Sequence, residues 1–182
     1  LLRNFGAAKV IAVDVNPANL KMAKDLGAHE AVLIEKKKKA NDWEHDAEVV
    51  NRINELTYGK GVDVSMEMAG PTSSLNNAID STRRGGHIIL FGIKDGDFTI
   101  PKFSRAIVRG LTLHGIIGRQ IFKTWQISQR VLSDKTNGVQ DRIWNVILKK
   151  GKGTVLSFKD FTPESFEKAM NEHPKIVFKI NG

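Results

Sequence analysis

Short apolar runs alternate with amphipathic stretches of about a dozen residues along most of this chain, and that alternation constrains the fold more than any other feature. Lys9-Val-Ile-Ala-Val-Asp14 is almost continuously apolar, as a strand buried on both faces of a parallel sheet should be. Asn16-Pro17 then opens a helix with its proline just inside, and Leu26-Gly27 closes it. The same reading predicts strands at Ala31–Ile34, Gly61–Gly70, His87–Ile93 and Leu111–Gly118, with a short edge strand at Phe98–Ile100. It predicts helices over Asp46–Thr57, from a Thr72 or Ser73 cap to Arg83–Gly86, and over 101–109, 121–133 and 139–149. Strands at 154–159 and 175–180 should flank a helix opened by Thr162-Pro163-Glu164. Leu1, Leu2 and Phe5, followed by Gly6, read as the end of a helix. The expected class is α/β, a doubly wound parallel sheet.

The net charge of +8 invites a nucleic-acid reading, but its distribution argues against one. Residues 1–118 carry 16 Lys/Arg against 14 Asp/Glu, and residues 119–182 carry 12 against 6. The excess lies in the last third, without the interleaved aromatics of a single-strand platform, and is expected to be a solvated surface. The Lys36–Lys39 run reads as a loop tip. Charge and element order both change near residue 119, so the expected domains are 1–118 and 119–182. With no cysteine the chain has neither a disulfide framework nor a thiolate zinc site. No apolar run approaches the roughly 18 residues of a membrane span. A cytoplasmic protein without membrane or nucleic-acid partners is the expectation.

Asp14 carries the most chemistry. It ends the first strand, where an acidic side chain can accept hydrogen bonds from both hydroxyls of an adenosine ribose and would repel a 2′-phosphate. NAD rather than NADP is therefore expected, with a helix cap or turn as the plainer role for the same carboxylate. The glycine-rich phosphate loop should lie about 20 residues before such an acid, which would be upstream of Leu1. In the strand order 3-2-1-4-5-6 the strand preceding that loop is central. Without it, Lys9–Asp14 and Gly61–Gly70 have no common neighbour and leave two raw edges.

Other residues have plainer readings. Asp63 and Glu67 resemble a paired acid motif but are expected to cap and orient a turn. His87 and His114 read as satisfied structural histidines, Met66 and Met68 as core filler unless the turn exposes them, and Trp125 as a packing anchor. Tyr58 has Val62 four residues on, so a Tyr-x-x-x-Lys pair is absent, as are a Gly-x-Ser-x-Gly elbow and a zinc-spaced Cys/His cluster. No catalytic or metal-ligating residue is expected within this chain.

Val-Ile-Ala-Val-Asp-Val-Asn (10–16) with Leu-Gly-Ala (26–28), Gly59-Lys-Gly-Val-Asp-Val-Ser-Met-Glu-Met-Ala-Gly70 and Arg84-Gly-Gly-His-Ile-Ile-Leu-Phe-Gly92 together resemble the medium-chain dehydrogenase/reductase superfamily. Leu113-His-Gly-Ile-Ile-Gly-Arg119 followed by Thr124-Trp125 is similar to its L-threonine 3-dehydrogenase branch, and the polyol dehydrogenases are close. The resemblance implies a Rossmann sheet lacking its first strand and glycine-rich loop here, with residues 119–182 returning to a catalytic domain. It implies that Asp14 binds the adenosine ribose, that Met68, Ala69 and Gly70 line the adenine side, and that Phe91, Gly92 and Ile93 approach the nicotinamide. Ile116 and Ile117 would offer backbone to the carboxamide, and Arg119 would sit near the cofactor or hinge. It further implies NAD as cofactor, zinc in a preceding domain, a small-molecule alcohol substrate and a homodimer or homotetramer paired through edge strands. A polyol or alcohol dehydrogenase, a zinc-free quinone reductase, and a non-dehydrogenase nucleotide-binding protein (a sensor or a methyltransferase) remain alternatives.

Overall fold

The computed structural model describes residues 1–35, 40–118 and 120–180, so the Lys36–Lys39 loop and Arg119 lie outside the described residues. The first half contains β1 (Ile11–Asp14), α1 (Pro17–Asp25), β2 (Glu30–Leu33), α2 (Ala47–Leu56), β3 (Val62–Glu67), α3 (Thr72–Ser81) and β4 (Thr82–Leu90). There follow α4 (Ser104–Val108), β5 (Thr112–Gly115), α5 (Lys123–Ser133), α6 (Val139–Arg142), β6 (Val155–Ser157), α7 (Pro163–Glu172) and β7 (Val177–Lys179). The strand-helix alternation read from the periodicity is present, with most elements shortened at their ends.

Strands β1 and β2 form one sheet, β3-β4-β5 a second, and β6-β7 a third. β3 pairs with β4 and β4 with β5 in parallel, through Glu67↔Leu90 and Leu90↔Gly115 at their carboxyl ends. That order is the 4-5-6 half of a doubly wound sheet, and β1-β2 is the 2-3 pair of the other half. Among the described residues the two are separate sheets.

The chain packs as two compact units, Val13–Pro17 with Val32–Arg119, and Leu1–Ala12 with Ala18–Ala31 and Gln120–Gly182. In the first, α3 lays Leu75, Ala78 and Ile79 on Ile88 of β4, and Leu90, Ile100, Leu111 and Leu113 close around them. Ile79 and Ile88 are wholly buried. Polar side chains tie the surrounding loops to α3. Asn77 Oδ1 accepts from Asp46 N at 2.6 Å while Asn77 Nδ2 donates to Asp46 Oδ2 at 3.0 Å. Asn76 Nδ2 donates to the carbonyls of Trp43 (2.8 Å) and Thr99 (3.0 Å). Arg109 Nη1 donates to the carbonyls of Ile79 (2.8 Å) and Asp80 (2.9 Å), which end α3 and would otherwise lack partners.

The other unit is organised by the parallel pair β6-β7 and α7. Phe158, Phe161, Phe166 and Phe178 form a cluster with ring centroids 5.8–6.2 Å apart. The Thr162-Pro163 signal behaves as the sequence requires: Thr162 Oγ1 accepts from Ser165 N at 3.1 Å, and Ser165 Oγ answers Thr162 N at 3.2 Å.

Several expectations are corrected. Phe98–Ile100 is not a strand. Thr99 gives its carbonyl to Asn76, and Ile100 packs into the α3 core, so this segment is held by side chains and not by a ladder. Pro71, not Thr72 or Ser73, occupies the cap of α3, and no side chain caps it; Thr72 is buried as the first helical residue. The helix ends at Ser81, and Thr82–Gly86 belong to β4, whose register with β3 slips between Val62↔Thr82 and Val64↔His87. Leu1–Phe5 make a turn and not a helix. The expected 139–149 helix breaks into α6, a π turn at Ile143–Ile147 and a 3₁₀ turn. Trp125 is half exposed and meets Phe122 edge-on.

Candidate functional site

The carboxyl ends of parallel strands are where open α/β sheets place their ligands. Asp14 closes β1, Met68–Gly70 follow β3, Phe91–Ile93 follow β4, and Ile116–Ile117 follow β5. All of these residues belong to one compact unit. Asp14 Oδ1 accepts the backbone N–H of Asn16 at 2.8 Å, so this carboxylate shapes the turn into α1 with at least one oxygen. Leu90–Ile93 and Gly115–Ile117 line an apolar cleft of about 300 Å³, at the small end of ligand pockets. Ile93 is 83% and Ile117 90% exposed, and Phe91, Ile116 and Met68 are also exposed. Apolar side chains gathered at one mouth mark a surface suited to a flat, partly apolar ligand.

The two loops at this mouth are held together by one residue. Glu67, at the end of β3, is 4% exposed. Its Oε1 accepts from Ala69 N (2.9 Å), Gly70 N (2.8 Å) and Ser74 Oγ (2.8 Å). Its main-chain carbonyl accepts from Phe91 N (2.9 Å) and Gly92 N (3.0 Å). The approach is so close that only glycine fits. A Cβ on Gly92 would stand 2.3 Å from Gly70 N and 2.5 Å from Glu67 Oε2. Gly70, at φ +96, has its own Cβ position 2.7 Å from the Ile93 carbonyl. The sequence reading of Glu67 as a turn-orienting acid thus describes half of its role; the tie to the β4 loop depends on strand register, which local pattern does not contain.

Asp63 does not share this site. It is exposed and paired with Arg83 (2.6 Å), and that guanidinium holds its carboxyl below the ordinary 3.8. His87 Nδ1 and His114 Nε2 lie 3.0 Å apart on adjacent strands and satisfy one another. Met66 and Met68 are exposed and not core filler. The backbone N–H of Ile116 is already bonded to Leu90 O at 2.9 Å. Lys94, which the sequence pattern did not single out, donates to Thr72 Oγ1 (3.0 Å) and pairs with Asp42 (3.2 Å) beside the start of α3. Among the described residues no group of three or more His, Asp or Glu stands together as a metal site, and no helix is long and apolar enough to cross a membrane.

Comparison with known proteins agrees with this architecture. Over 132 residues the chain is 33% identical to L-threonine 3-dehydrogenase of Francisella philomiragia, covering 72% of this chain and 37% of that relative. It is 33% identical over 130 residues to the enzyme of the same name from Bacillus subtilis, covering 71% and 35%. The fold matches 2R,3R-butanediol dehydrogenase from Bacillus subtilis with a TM-score of 0.67 at 24% identity, covering 99% of this chain and 46% of that one. It matches an alcohol dehydrogenase from Thermus sp. ATN1 with a TM-score of 0.68 at 21% identity, covering 98% and 46%. The chain therefore spans about a third of the length of the curated relatives and less than half of the solved structures. Residues 1–133 match the family model described as zinc-binding dehydrogenase, and the chain belongs to that family.

Proposed function

We propose that this chain is the NAD-binding part of a zinc-dependent dehydrogenase that oxidises a secondary alcohol, L-threonine to 2-amino-3-oxobutanoate. One observation carries the cofactor reading: an acid at the end of β1 and three apolar, glycine-containing loops at the ends of β3, β4 and β5 belong to one unit. The printed names of the relatives support the substrate. Asp14 would hold the adenosine ribose, the Met68–Gly70 loop the adenine side, and Phe91–Ile93 with Ile116–Ile117 the nicotinamide end, with Arg119 near the cofactor or hinge. When bound, NAD would accept hydride and zinc would polarise the alcohol oxygen. The chain has no cysteine and, among its described residues, no ligand cluster, so zinc would be held by residues outside it. The contribution of this chain is to bind, orient and shield. Residues 1–118 would form the nucleotide domain and 119–182 would return to the catalytic one, in a cytoplasmic homodimer or homotetramer.

The test uses the complete enzyme. Asp14→Ser should raise KM for NAD and relax the preference for NAD over NADP, because the carboxylate that repels a 2′-phosphate is gone. An unchanged preference ratio refutes the role of Asp14. Comparing kcat/KM for L-threonine, 2,3-butanediol, sorbitol and benzyl alcohol tests the substrate; a better polyol than threonine would move the enzyme to a neighbouring branch of the superfamily.

A further inference from the structure

We infer that the Glu67 side chain is a positioning group for the dinucleotide, fixing the peptide orientation of the Met68–Gly70 turn over which the cofactor lies; this rests on the cofactor reading above. Four donors from two loops and one from the first turn of α3 end on Glu67. The N–H groups of Ala69 and Gly70 and the Ser74 hydroxyl reach its side chain, and the N–H groups of Phe91 and Gly92 reach its carbonyl. A trans peptide points its C=O opposite to its N–H, and there is no cis peptide bond among the described residues. With the N–H groups of residues 69, 70 and 92 turned inward onto Glu67, the carbonyls of Met68, Ala69 and Phe91 face away from it.

The rim that Glu67 creates is therefore one of acceptors, suited to groups that donate, such as ribose hydroxyls and a carboxamide NH₂. It is unsuited to phosphate. A carboxylate fills this role because one oxygen must accept three hydrogen bonds within a buried turn at the amino end of α3, where negative charge is favoured. Gly92, which has no Cβ, leaves room for the other carboxylate oxygen.

The experiment measures NAD affinity in the complete enzyme for Glu67→Ala, Glu67→Gln and Asp14→Ser, by titration below the melting transition of each, with circular dichroism to establish folding. Glutamine keeps a carbonyl oxygen where Oε1 stands and should bind NAD within about threefold of wild type. Alanine should weaken NAD about tenfold or more, the equivalent of one strong interaction, and raise KM for NAD with kcat at saturation nearly kept. If Glu67→Ala lowers only the melting temperature and binds NAD normally while folded, Glu67 is structural and the inference falls. If glutamine is no better than alanine, acceptance at Oε1 is not what matters and the inference also falls. Asp14→Ser separates the two readings. An unchanged NAD/NADP preference overturns the role of Asp14 and with it the placing of the cofactor at these strand ends, whereas an altered preference with a silent Glu67→Ala overturns only the positioning role.

Discussion

Gly92→Ala should break the junction between the β3 and β4 loops. Its added methyl group would stand 2.3 Å from Gly70 N, 2.5 Å from Glu67 Oε2 and 2.9 Å from Ala69 N. Comfortable contact requires about 3.5 Å, so the loops must part by about 1 Å. Both sides are backbone or buried carboxylate, and neither can swing away. Parting them stretches Phe91 N–Glu67 O from 2.9 Å and Gly92 N–Glu67 O from 3.0 Å beyond hydrogen-bonding range. Overpacking of this kind costs about 1–3 kcal/mol, and leaving a buried backbone donor without its partner a similar amount. Because these describe one event relaxed in different proportions, the expected loss is about 2–3 kcal/mol, a fall of roughly 5–10 °C in Tm for a chain of this size. Gly115 supplies the control: it lies in the adjacent strand, and a Cβ there meets nothing within 4 Å. Gly115→Ala should stay within about 0.5 kcal/mol of wild type. Thermal and urea denaturation followed by circular dichroism compares the three proteins. A Gly92→Ala Tm within a degree of wild type, or an equal loss from Gly115→Ala, would refute the reasoning.

Ile79→Ala removes a wholly buried side chain from the α3–β4 contact and should cost about 2–5 kcal/mol by urea midpoint. Ile100→Lys should lower the stability of the unit itself, because Ile100 packs against that core; a change confined to oligomer mass in light scattering, with an unchanged melting curve, would contradict this. The depressed Asp63 carboxyl stabilises the folded chain above the ordinary value of 3.8, and that contribution disappears as pH falls through its lower folded value. The pair is exposed, so Asp63→Asn should cost under about 1 kcal/mol at neutral pH, with the difference fading as the pH falls through the lowered folded value, as a pH series of melting curves can check.

The sequence determined the order and kind of the strands and helices, because each depends on apolar spacing within a dozen residues. Lys9–Asp14, Gly61–Gly70 and His87–Ile93 could be read as strands without knowing their neighbours, and Thr162-Pro163 as a helix start. It also placed Asp14 and the three loops at the strand ends, since a loop position follows from where each apolar run stops. Tertiary structure decided whatever depends on register or on residues far apart. The start of β4 at Thr82, not His87, comes from pairing with Val62 across a slipped register. Phe98–Ile100 has the composition of a strand but is captured by Asn76 and the α3 core. The meeting of His87 with His114, and of Glu67 with both Gly70 and Gly92, required β3, β4 and β5 to lie side by side in one alignment. Local periodicity carries no information about that alignment, because side chains tens of residues apart meet only when the sheet brings their strands together.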